Sequence, residues 1–138
     1  MDRRSFIAAS AAVLATGTLA HAGGATKDYT PGLIKKALAD GKTVFVDYAA
    51  DWCGTCKRQE RVINELRQEN EAYGKQMVFV RVDWDDFGNH EVSTSRNIPR
   101  RSTLVLLKGD QELGRIVAGT STAKIKELMD KGLAAASS

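Results

Sequence analysis

Asp51-Trp52-Cys53-Gly54-Thr55-Cys56-Lys57 holds the chain's only two cysteines, at the point where a strand-like run gives way to a helix-like one. Before it, Val44-Phe45-Val46-Asp47-Tyr48-Ala49 is short, apolar and rich in β-formers, as a buried strand requires. After it, Lys57 to Tyr73 contains neither proline nor glycine. Val62, Ile63, Leu66 and Tyr73 recur on one helical face, with Arg58, Glu60, Glu65, Arg67 and Glu69 largely covering the other. A Cys-x-x-Cys at such a junction sets the first sulfur at a helix N-terminus. Unpaired backbone N–H groups and the helix dipole favour a thiolate there. Such a pair opens and closes as a disulfide with little backbone movement. The pattern reads as a redox device, with an inert disulfide and a metal site as the alternatives. A closed zinc site takes four ligands, and His90 is the one histidine beyond the first 22 residues.

Arg3-Arg4-Ser5-Phe6-Ile7 is a twin-arginine pattern. An alanine-rich, modestly apolar run follows to Leu19, then Ala20-His21-Ala22 as a small-x-small cleavage site. The run is too short and too weakly apolar to span a membrane. Residues 1–22 are therefore expected to be an export signal, and residues 23–138 one domain carried to the periplasm. The formal net charge of +3, with both signs interspersed, points to neither nucleic acid nor a membrane surface. Exported proteins usually spread their cysteines as structural staples. Here both lie in one motif, where a bridge closes too small a loop to stabilise the chain much.

The rest of the chain alternates. Thr30-Pro31 reads as an N-cap and first helical residue, with Leu33, Ile34, Ala37 and Leu38 at helical spacing and Asp40-Gly41 as the stop. Gly74 is the expected end of the helix that starts at Cys53. Met77-Val78-Phe79-Val80-Arg81-Val82-Asp83 is a second central strand, and the polar stretch from Asp85 to Ser95 has room for a short helix. Thr103 to Leu107 and Glu112 to Ala118 are strands joined by Lys108-Gly109-Asp110-Gln111, a turn short enough to make them an antiparallel hairpin. Ser121 or Thr122 caps a last helix lined by Ile125, Leu128 and Met129 and ending at Gly132. Parallel strands joined by helices and closed by a hairpin give an α/β fold: a mixed four- to five-stranded sheet flanked by helices on both faces.

From Leu33 to Gly132 the sequence resembles the thioredoxin family. Val46-Asp47-Tyr48-Ala49-Ala50-Asp51-Trp52-Cys53-Gly54-Thr55-Cys56-Lys57 looks like that family's strand, buried aspartate and Trp-Cys-Gly-x-Cys-Lys active site. Arg81 stands where the family often has a lysine near the aspartate. Ile98-Pro99 looks like its cis-proline dipeptide opposite the cysteines, and Gly119 like a glycine lining the substrate groove. Thr55 replaces the proline usual in cytosolic thioredoxins, and Arg100-Arg101-Ser102 intervenes where the family commonly has a single threonine. The Ala-Asp-Trp-Cys wording and the export signal look more like the thioredoxin-like domains of periplasmic disulfide-reducing systems.

The resemblance implies a thiol:disulfide oxidoreductase acting on protein disulfides as a monomer without a cofactor. Cys53 is the expected exposed nucleophile and Cys56 the more buried resolving thiol. Asp47, a carboxylate in an apolar strand, should have a raised pKa, and the resemblance implies that it exchanges protons with Cys56. Trp52 is expected to wall the nucleophile, and Ile98, Pro99 and Gly119 to bind substrate. Arg100 and Arg101 read as a solvated bulge, with a groove rim that favours acidic partners as the alternative, Trp84 as core and His90 as surface. No charge lies between the cysteines to hold a very acidic thiol, which favours reduction over oxidation. The expected electron source is a membrane donor. A non-enzymatic module of the same fold, binding a partner or a metal, and a disulfide-forming oxidant are the rival readings.

Overall fold

A computed structural model describes residues 24–137. The twin-arginine segment and its cleavage site lie outside the described residues. The elements are β1 Lys27–Asp28, α1 Leu33–Ala39, β2 Thr43–Ala49, α2 Gly54–Glu69, α3 Ala72–Gln76, β3 Met77–Asp83, α4 Trp84–Phe87, α5 Glu91–Thr94, β4 Thr103–Lys108, β5 Gln111–Val117 and α6 Thr122–Ala136. The sheet has five strands in the order β1-β3-β2-β4-β5. β2 runs parallel to β3 and antiparallel to β4, and β4–β5 is the expected antiparallel hairpin. The first strand, weakly marked in the sequence, pairs with β3 over Lys27 and Asp28.

All seven residues of β2 are buried, as befits a central strand covered on both faces. Alternation splits its side chains. Val44, Val46 and Tyr48 join Ile34, Val80, Val82, Val92, Ile98 and Val105 in one cluster. Phe45 faces the other way and joins Ile63, Leu66, Phe79, Leu104, Ile125 and Met129. Thus α1, α4 and α5 cover one face, and α2, α3 and α6 the other. Asp47, two residues after Phe45, belongs to the second face.

Three helix boundaries differ from expectation. α1 starts at Leu33 because Gly32, its N-cap, has a φ of 90°, outside the helical region. Pro31 belongs to the preceding turn, closed by Leu33 N–H donating to Thr30 O at 3.0 Å. α2 ends at Glu69 because Asn70 turns extended (φ −141°) and its side chain accepts from Ala72 N–H at 3.0 Å. Gly74 lies inside the short α3. α6 runs through Gly132, where an added Cβ would overlap Met77 Sδ. That glycine marks a close approach of helix and strand. The polar stretch 84–95 forms two short helices, capped by Asp83 and by His90, whose Nδ1 accepts from Val92 N–H.

Candidate functional site

Cys53 and Cys56 are joined as a disulfide, their Cα atoms 5.2 Å apart. Cys53 is the N-cap of α2, and its Sγ accepts a hydrogen bond from Cys56 N–H at 3.1 Å. A sulfur in that position receives the unpaired amides of the helix start and its positive dipole end. The local sequence produces this placement. β2 delivers a straight buried strand, Cys53 N–H closes a turn onto Ala50 O at 3.1 Å, and α2 begins at once with Gly54. The bridge rests on Ala49, Ala50 and Trp84.

The expected exposure of Cys53 is not found. In the disulfide form Cys53 is 3% exposed and Cys56 2% exposed. Trp52 projects outward, 60% exposed, with its indole N–H shared between both Asp85 carboxylate oxygens at 3.1 Å. The Arg101 guanidinium stacks 4.8 Å above the Trp52 ring. This stack ties the residue before Cys53 to the residue before Ser102. Arg101 is therefore part of the site, not a solvated bulge, while the Arg100 Nε donates to Arg101 O.

Behind the sulfurs lies Asp47, 8% exposed, with Oδ1 lacking a hydrogen-bond partner. Burial, helped by the nearby Glu60 charge and opposed by Arg81, pushes its pKa up to about 7. Arg81 is its register neighbour on β3 but pairs elsewhere. The guanidinium reaches Asp51 at 3.0 Å, with Glu60 and Asp83 at 3.9 Å. A cavity of about 300 Å³ opens on Asp47, Glu60 and Arg81. A second, also about 300 Å³, opens on Cys56, Glu60 and Arg81. The acid and the second sulfur thus face adjoining spaces that share two walls.

The Ile98–Pro99 expectation is corrected. Among the described residues no peptide bond is cis. Ile98 packs in the cluster with Tyr29, Ile34 and Val92, and Pro99 is exposed. The residue that meets the sulfurs is Ser102, whose Oγ lies 3.1 Å from Cys53 Sγ and 3.0 Å from Cys56 Sγ. The register explains it: Thr103 pairs with Tyr48, so the residue before Thr103 lies opposite the end of β2, where the cysteine loop begins. Residues 100–102 separate Pro99 from β4, so Ser102 and not Pro99 stands at that place. Gln59, fully buried on α2, donates from Nε2 to Ser102 O at 3.0 Å and to Gly119 O at 2.9 Å. Gly119 is therefore attached to the site through its carbonyl. Ser102 and Gln59 were not singled out from the sequence. Gln59 does carry a helical signal, since it shares the buried face of α2 with Cys56, Ile63 and Leu66.

A cysteine pair at the N-cap of a helix on a mixed sheet, with a buried acid on the face that the helix covers, defines a fold class, the thioredoxin-like α/β proteins. The family model described as Thioredoxin matches residues 26–131, and the chain belongs to the thioredoxin family. It is 33% identical to Thioredoxin-T of Drosophila melanogaster over 68% of this chain and 56% of that protein. It is 36% identical to Thioredoxin H2-1 of Oryza sativa over 55% of this chain and 51% of that protein. The chain thus spans about half the length of these two curated relatives. The crystal structure of Trxlp from Edwardsiella tarda superposes with a TM-score of 0.66 at 28% identity, covering 76% of this chain and 98% of that one. The chain is thus a thioredoxin-family protein with a bonded Cys53–Cys56 pair.

Proposed function

We propose that the chain is a periplasmic disulfide reductase, exported through its twin-arginine segment, acting as a monomer and recharged by a membrane electron donor. The observation that carries the chemistry is the Cys53–Cys56 bridge at the helix N-cap with a buried, unpartnered Asp47 behind it. In the reduced protein the Cys53 thiolate attacks a substrate disulfide. One substrate sulfur leaves as thiolate and the other becomes bonded to Cys53. Cys56 then loses its proton to Asp47 and attacks Cys53 Sγ. The Cys53–Cys56 bond forms, the second substrate thiolate departs, and two electrons have passed from the protein to the substrate. A carboxyl titrating near 7 suits the proton step, because both its forms are populated at neutral pH.

Gly54 and Thr55 bring no charge to the thiolate, and Asp51 is already paired with Arg81. The stretch between the two cysteines therefore supplies none of the cationic support that strong oxidants use. The test is the reduction potential of the isolated protein, measured by equilibration with glutathione. The reductase reading expects a value below about −200 mV. A value near that of strong oxidants, about −120 mV, means that the pair forms disulfides instead. Failure to exchange with any model disulfide means a non-enzymatic module.

A further inference from the structure

Ser102 is held more firmly than a loop residue needs to be. Its N–H donates to Tyr48 O at 2.7 Å, and its carbonyl accepts from Gln59 Nε2 at 3.0 Å and from Ala118 N–H at 2.7 Å. Three separate parts of the chain thus clamp its backbone, which sits at φ 63°, a conformation that is costly for a non-glycine residue. The side chain is 0% exposed, and its hydroxyl lies within hydrogen-bonding reach of both sulfurs. Strain of this kind, clamped in place beside reacting atoms, is a common mark of a functional position.

A hydroxyl has one hydrogen to donate and two lone pairs with which to accept. Disulfide sulfurs are weak acceptors, whereas a thiolate is charged, and hydrogen bonds to charged groups are roughly twice as strong. The contact therefore gains strength when the bridge opens. We propose that Ser102 is a catalytic residue whose hydroxyl donates to each sulfur in turn as that sulfur carries the negative charge. This rests on the Cys53–Cys56 pair being the exchanging dithiol. In the reduced protein Oγ–H donates to the Cys53 thiolate while the Cys56 thiol donates to Oγ. Once Cys53 is bonded to substrate and Cys56 has given its proton to Asp47, the hydroxyl rotates and donates to the Cys56 thiolate. That thiolate attacks Cys53 Sγ, and the substrate sulfur leaves with the electron pair of the broken bond. Ser102 neither gains nor loses a proton over the cycle.

Two substitutions separate the hydroxyl from the backbone that carries it. Ser102→Ala removes the oxygen and keeps the strained φ; Ser102→Gly removes it and relieves the strain. Both reduced variants are titrated by thiolate absorbance, and both are equilibrated with glutathione at a pH where Cys53 is ionised. Each is expected to bind the Cys53 proton about tenfold more tightly than wild type. Each should also shift the dithiol–disulfide equilibrium about tenfold towards the disulfide, which is about 30 mV more negative. Wild-type values in both variants would overturn the role of Ser102 while leaving the redox pair standing. So would a shift in the alanine variant alone, which would trace the effect to the backbone. A wild-type protein that does not exchange with glutathione at all would overturn the redox reading as well.

Discussion

Asp47 and Tyr48 are neighbours on β2, both buried and both polar, and they point to opposite faces of the sheet. Tyr48 Oη donates to Val92 O at 2.9 Å, and burial pushes its pKa up to about 12. It stays neutral at every ordinary pH and fastens α5 to the sheet. Asp47 has no such partner for Oδ1, borders a cavity, and titrates near 7. A buried polar group whose bond is made belongs to the architecture. One left with an unpaired oxygen beside a cavity is a candidate for proton exchange. The two faces of one strand thus divide the work.

The strongest way to break this division is on the chemical face. Cys56→Ala should abolish turnover and leave Cys53 covalently joined to its substrates, identified by mass after non-reducing separation; unlinked Cys53 with retained turnover would refute it. Asp47→Asn comes next. The folded pKa of about 7 lies above the ordinary carboxylate value of 3.8, so its stabilising contribution is present below about pH 4 and disappears as pH rises through 7. At pH 8 the asparagine variant should be more stable than wild type by up to about 4 kcal/mol in urea, with little difference at pH 4. Gln59→Ala strips the donors from Ser102 O and Gly119 O inside a packed helix face, and should cost about 3 kcal/mol. On the architectural face Tyr48→Phe should cost about 1–2 kcal/mol in denaturation and leave exchange rates unchanged. A loss of rate there would break the comparison.

The fold was legible where one pattern dominated. The run 77–83 is β3 to the residue, because a central strand shows as a continuous β-forming stretch. The cysteine motif was legible because strand, sulfur and helix follow one another without a gap. Ser102 was hidden for a physical reason. Nothing in a serine announces a positive φ, and Pro99 offered a more obvious punctuation three residues earlier. Counting back from the hairpin strand would have found it, since the residue before Thr103 must lie opposite the end of β2. Gly74 and Gly132 misled because glycine serves close packing as well as helix ends. The Arg101 stack on Trp52 is a contact between loops that no local pattern encodes.

The buried carboxylate on β2, its Oδ1 unpaired, is proposed to serve the sulfurs. The most direct test of this claim follows the rate at which Cys56 resolves a preformed mixed disulfide on Cys53, across pH 5 to 9, in wild type and in Asp47→Asn. The wild-type profile should show an inflection near 7, matching the raised titration of Asp47, and the variant should lose that inflection and run about tenfold slower at neutral pH. Superimposable profiles would contradict the claim.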